Sequence, residues 1–158
     1  MSALSGYESF EAPDPAEWTA FGYAVVNVDA RGTMKSGGNL RSDVISFAIQ
    51  LSRLADSSRW NGTAEGRDGY DAIEHIASLP WCNGHLALIG VSWLAMAQWF
   101  IAAEQPPHLT CMLPLEGLGD LYRESLCRGG VPYLPFWSFL RDHGLFGRLA
   151  PALAGWYG

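Results

Sequence analysis

A serine at the junction of an apolar run and a helix-like run is the residue of this chain best placed to do chemistry. Leu86 to Ile89 is apolar, Gly90-Val91-Ser92-Trp93 follows, and Leu94 to Ala103 is apolar over helical length. The order is strand, tight turn, buried helix. A serine on such a turn has its hydroxyl exposed above the sheet edge and its backbone beside a helix N-terminus, where N–H groups can stabilise an oxyanion. Ser92 is therefore the candidate catalytic nucleophile. The bland alternative is a small N-cap after a buried strand. As a nucleophile, Ser92 needs a general base to take its proton and a third group to orient that base, because a free hydroxyl reacts weakly at neutral pH.

Other polar residues carry weaker signals. Asp29 and Arg31 could polarise a substrate, but locking the loop after the first strand through a buried charged pair or backbone hydrogen bonds accounts for them better. Arg67-Asp68 is read in the same way, at a helix start. Glu116, beside Gly117, could bind a substrate amine, although a carboxylate bonded to nearby backbone N–H groups is the simpler account. Cys82-Asn83-Gly84-His85 has the spacing of two metal ligands without a second pair, and Asn83-Gly84 reads as a turn into a strand. Cys82, Cys111 and Cys127 are an odd number without paired spacing, so they indicate no disulfide framework.

The elements that must position these residues alternate in type. Tyr23 to Asp29 (YAVVNVD) is a β-branched run bounded by Gly22 and Arg31-Gly32, the pattern of a strand buried on both faces. Asp68 is placed to cap a helix that carries Asp71 in its first turn, spaces Tyr70, Ile73 and Ile76-Ala77 along one face, and stops at Pro80. A strand over His85 to Ile89 leads into the helix Leu94 to Ala103, which is expected to be buried nearly all round. Thr110 to Leu115 reads as a further strand. Strands alternating with helices predict an α/β fold with a parallel sheet, whose chemistry gathers beyond the strands' carboxyl ends. Ser92, Asp29 and Glu116 all fall there. Two stretches fit this plan badly. Between Ser42 and Trp60, Val44, Phe47-Ala48, Leu51 and Leu54-Ala55 have helical spacing without an evident partner, and the tail after His143 is biased to Gly, Ala and Leu without a period.

Composition bounds the function. The 158 residues suit one domain that buries roughly 68–70% of its unfolded surface, and a 49% hydrophobic fraction with 13% aromatics supplies a core. A net charge of -6 and the lack of a basic patch argue against a nucleic-acid partner. The first residues show neither a basic nor an apolar signal region, and no apolar run approaches the ~18 residues of a membrane span. The expectation is a cytoplasmic location without membrane contact. Asn61-Gly62-Thr63 is then a glycosylation sequon that no glycosylation machinery meets.

The segments EWTAFGYAVVNVDARG, EGRDGYDAIEHIASLPWCNGHLALIGVSW and AAEQPPHLTCMLPLEGLGDLYRESLCRGGVPY resemble the X-Pro dipeptidyl-peptidase and cocaine-esterase-like α/β-hydrolases. The resemblance implies an α/β-hydrolase fold with Ser92 as the nucleophile and the backbone N–H of Trp93 as an oxyanion-hole donor. It also implies that the aromatic segment with Tyr133, Phe136, Trp137 and Phe139 starts a helical cap over an apolar acyl or proline pocket. The elbow departs from G-x-S-x-G: Gly90 is kept, but Leu94 stands at the second glycine and the small residue is delayed to Ala95.

The resemblance further implies that residues 1–120 form an incomplete hydrolase core with an atypical insertion at about 42–61, and that 121–158 hold the start of the cap and an irregular tail. The family's second oxyanion donor and its triad Asp and His fall outside the matched segments, as does a strand that lies between the GYAVVNVD strand and the nucleophile strand. Ser92, Asp120 and His143 follow the triad's chain order, but order is a weak constraint, and Asp120-Leu121-Tyr122-Arg123 reads as a structural entry to the cap. The expected activity is that of a serine hydrolase, peptidase or esterase, without metal or organic cofactor. Its substrate would be a small ester or amide or a short peptide, and its oligomeric state stays open. The alternative is a catalytically inactive fragment or a mispredicted gene product in which 42–61 is a retained intron.

Overall fold

The structure, a computed structural model, describes residues 5–7, 11–31, 35–37, 63–120, 122–135 and 138. The expected insertion at 42–61 with its helical spacing, Phe136, Trp137, Phe139, His143 and the tail after it lie outside the described residues. The described residues fall into two compact units, one with 5–7, 11–30 and 63–117, the other with 31, 35–37, 118–120, 122–135 and 138.

The first unit opens with α1 (Pro15–Ala20). Asp14 caps it by accepting from Ala16 N at 2.9 Å, Pro15 supplies the preset φ of a first helical position, and Gly22 ends it at φ 84. A hydrogen bond from Tyr23 N to Trp18 O closes that end. Tyr23 to Asp29 then runs extended but pairs into neither sheet. Tyr23 is 58% and Val28 61% exposed, where a strand buried on both faces was expected. An apolar β-branched run becomes a strand only when a neighbour takes up its backbone groups. Among the described residues no strand does so.

α2 spans Thr63–Ala77, so it begins five residues before the expected cap at Asp68. Gly66 and Gly69 sit inside it. A β-carbon at Gly66 would meet the Phe100 carbonyl, and one at Gly69 would collide with the Ile101 side chain. The two glycines thus let α2 lie directly against the next helix, and this close packing overrides their low helix propensity. Arg67 and Asp68 lie within α2 rather than at its start, and Arg67 extends to Glu104, 4.0 Å away across the helix pair.

β1 (Leu86–Val91), α3 (Trp93–Ala103) and β2 (Leu109–Leu115) form the expected strand-helix-strand unit, each within one or two residues of its predicted bounds. The strands pair in parallel from Leu86 beside Leu109 to Val91 beside Leu115. The core comprises Ile73 of α2 with Ala95, Met96 and Ala97 of α3. Gln98 is buried with them and its side-chain amide donates to Leu113 O of β2 at 3.4 Å, a polar tie between helix and sheet. α3 is less enclosed than its composition suggested: Leu94 and Trp99 are exposed. No helix among the described residues is long and apolar enough to cross a membrane.

In the second unit a π-helical turn, Tyr122–Leu126, leads into a hairpin of β3 (Cys127–Arg128) and β4 (Val131–Pro132). Gly129 and Gly130 carry φ 61 and 83, the two left-handed residues that a tight two-residue hairpin turn demands. Asp120 accepts from Arg123 N at 3.0 Å and pairs with the Arg123 guanidinium at 2.6 Å, while Glu124 accepts from Gly119 N. These bonds, the Arg123 N–H foremost, hold the Asp120 carboxyl below the usual carboxylate range. Asp120 is engaged as a cap of its own turn.

Candidate active site

Ser92 occupies the single residue between β1 and α3, with φ 56 and ψ -110. That conformation is rare for a residue with a Cβ and is the strained bend expected of a strand-to-helix elbow. Its backbone is fixed on both sides. Ser92 N donates to Leu115 O at 2.9 Å, and Ser92 O accepts from Ala95 N and Met96 N. The strand register and the first helical turn therefore hold the bend jointly. Ser92 stands at the N-cap position of α3, but its side chain makes no capping hydrogen bond to the helix. Trp93 is the first residue of α3, so its N–H belongs to the initial helical amides, where the positive end of the helix dipole lies.

The sequence around the elbow is explained by what it must fit. A β-carbon at Gly90 would collide with Leu94 Cβ and lie 3.4 Å from Leu94 Cα. Ala95 is completely buried, and a β-carbon on Gly117 would come 3.0 Å from Ala95 Cβ. The small residue of this elbow is thus needed at Ala95, against Gly117, while Leu94 is tolerated because Gly90 opposite it has no side chain.

Glu11 is the residue that sequence reasoning missed. Its backbone carbonyl accepts from Val91 N at 3.1 Å, which ties Glu11 one residue from the elbow. Burial pushes the Glu11 carboxyl above its ordinary value, and the Ser92 hydroxyl works in the opposite direction. Glu11 also stands at φ 62. No local pattern announces it, because chain folding brings the N-terminal segment to the edge of β1.

The remaining candidates are dispersed. Glu116 follows β2 at the same end of the sheet as Ser92, exposed and at φ 51. Asp29 and Arg31 are both exposed rather than buried. Asn83 accepts from His85 N at 3.0 Å and Gly84 N donates to Cys82 Sγ, so the Cys82 to His85 stretch is a turn. Among the described residues no group of three His, Cys, Asp or Glu side chains could hold a metal ion. His85 and His108 precede β1 and β2, and His108 Nδ1 lies 2.7 Å from Glu74, the neighbour of His75 on α2. All three histidines stand at the amino end of the sheet, about 20 Å of strand from Ser92. In the second unit Tyr133 is exposed and the Arg128 guanidinium sits 5.2 Å from its ring centre.

Comparison with known proteins gives a consistent set of similarities. Residues 5–147 match the X-Pro dipeptidyl-peptidase (S15) family. The chain is 30% identical over 114 residues, 72% of its length, to a protein of Mycobacterium bovis named as a serine esterase, of which it spans 15%. It is 29% identical over 150 residues, 88% of its length, to cocaine esterase of a Rhodococcus species, of which it spans 23%. The crystal structure of a CocE/NonD family hydrolase from Staphylococcus aureus superposes with a TM-score of 0.65 at 38% identity, over 84% of this chain and 21% of that one.

Proposed function

Because the chain belongs to the X-Pro dipeptidyl-peptidase (S15) family, a family of hydrolases, we propose that it carries the nucleophile-bearing part of an α/β-hydrolase that cleaves an ester or amide through an acyl-enzyme on Ser92. The observation that carries this reading is the bend of positive φ at Ser92, a residue whose side chain makes no helix-capping bond and that stands at the carboxyl end of two parallel strands.

In this mechanism Ser92 Oγ attacks the substrate carbonyl carbon as its proton passes to a base. The carbonyl oxygen becomes an oxyanion, for which the Trp93 N–H is the proposed donor. One such donor is worth ~2.7–4 kcal/mol of transition-state stabilisation. Collapse of the tetrahedral species expels an alcohol or amine and leaves the acyl group on Oγ, and water then releases it. The substrate is a small ester or amide or a short peptide, either an X-Pro dipeptide amide or an acyl ester.

A second reading, that this chain by itself is catalytically silent, is favoured by one observation: the described histidines lie at the far end of the sheet from Ser92. Loss of triad members leaves only ~10³–10⁴-fold catalysis over water. The readings separate in a burst experiment with a p-nitrophenyl acyl ester and an X-Pro p-nitroanilide. The hydrolase reading predicts a p-nitrophenol or p-nitroaniline burst equimolar with the chain that vanishes in Ser92→Ala. Equal, burst-free rates in wild type and Ser92→Ala would contradict it.

A further inference from the structure

Gln98 is 2% exposed on α3 and carries a polar head into the contact between helix and sheet. Its side-chain nitrogen donates to Leu94 O at 3.2 Å, in the first turn of α3, and to Leu113 O of β2 at 3.4 Å. Both partners are carbonyls, so the nitrogen and not the oxygen of the amide must face them. Oε1 is thereby left buried without a hydrogen-bond partner among the described residues. We infer that Gln98 is a positioning residue for Ser92, an inference that rests on the nucleophile reading of that serine.

The orphaned acceptor counts against a role in stability alone. A buried polar atom left unmet is unfavourable, whereas a methionine of similar length would fill the space with no polar group to satisfy. What the amide supplies is a fixed span between two backbones. Ser92 N donates to Leu115 O, and Gln98 donates to Leu113 O two residues earlier on the same strand. Leu94, whose carbonyl takes the other amide hydrogen, follows Ser92 by two residues. β2 therefore grips the elbow at two points, through the backbone of Ser92 and through the helical turn that comes after it. The bend needs this support, because φ 56 with ψ -110 is not a conformation that a residue with a Cβ holds unaided. Packing and hydrogen bonds behind a reacting group are what keep it within the ~0.5 Å that chemistry requires.

The test is Gln98→Met in the full chain, which removes both the donors and the unmet acceptor. Its denaturant midpoint is expected to match or exceed that of the wild type. The maximal rate of fluorophosphonate labelling at Ser92 is expected to fall about 10-fold or more, toward the ~10²-fold that a 1 Å misplacement costs, while the probe concentration for half-maximal rate stays unchanged. Amide hydrogen exchange at Ala95 and Met96, whose N–H groups are held by Ser92 O, is expected to quicken about tenfold. Ile73→Val serves as the control, because it thins the core away from the amide and is expected to lower the midpoint without slowing the label. A wild-type labelling rate or unaltered exchange in Gln98→Met would overturn the role of Gln98 and leave the serine reading standing. So would a Gln98→Met chain that melts below Ile73→Val or fails to fold, since the amide would then serve stability. A wild-type chain that takes no label at Ser92 would overturn both.

Discussion

Ser92→Gly is expected to raise the stability of the chain by about 1 kcal/mol and to abolish its covalent reaction with a fluorophosphonate. The left-handed conformation at φ 56 and ψ -110 costs a residue with a Cβ about 1–3 kcal/mol, a cost glycine escapes. Glycine loses more backbone entropy on folding, which offsets about 0.5–1 kcal/mol of that gain. The side chain gives little back, because it makes no helix-capping bond. Ser92→Ala keeps the Cβ and therefore the strain, so it should lose labelling without the stability gain. Denaturant midpoints of the three proteins check the argument. A lower midpoint for Ser92→Gly than for Ser92→Ala would show that the bend is unstrained and that its geometry is not held for a reactive side chain.

Gly90→Ala is expected to cost about 1–3 kcal/mol, the usual penalty of forcing atoms into a packed site, and to slow labelling about 10²-fold, the scale of a 1 Å misplacement of a reacting group. The added methyl meets Leu94 Cβ and lies 3.3 to 3.4 Å from Leu94 backbone atoms, so no rotamer change relieves it. The relief must come from the turn between them, which is Ser92. The double variant Gly90→Ala/Leu94→Gly removes the opposing Cβ and should recover much of the labelling rate despite the poorer helix former at position 94. Wild-type stability and labelling in Gly90→Ala would mean that the elbow does not depend on that contact.

The strand-helix-strand unit that carries Ser92 was legible because its signals are local and agree. Two short apolar runs flank a long one, and Gly90 marks the turn. The start of α2 was not legible in the same way. Gly66 and Gly69 argue against a helix by propensity, and only the packing of Phe100 and Ile101 against them makes glycine the right choice. The run Tyr23 to Asp29 shows the opposite failure. Its pattern is that of a buried strand, yet pairing is a property of two segments, and the described residues supply no second one. At α1 and the β3-β4 hairpin the signals were present in short form, as Asp14-Pro15 with Gly22 and as Gly129-Gly130 between Arg128 and Val131. Glu11 had none. Its backbone bond to Val91 N joins the segment ahead of α1 to the elbow and depends on how the chain returns to the edge of β1, which no spacing encodes.

The account stands on the reactivity of one hydroxyl. Reaction of the full chain with a fluorophosphonate, followed by proteolysis and mass mapping, reads it directly. The expected result is one adduct per chain, on the peptide that carries Gly90-Val91-Ser92-Trp93, with none in Ser92→Ala. Adducts spread over other serines and tyrosines, or a labelling yield unchanged by Ser92→Ala, would contradict it.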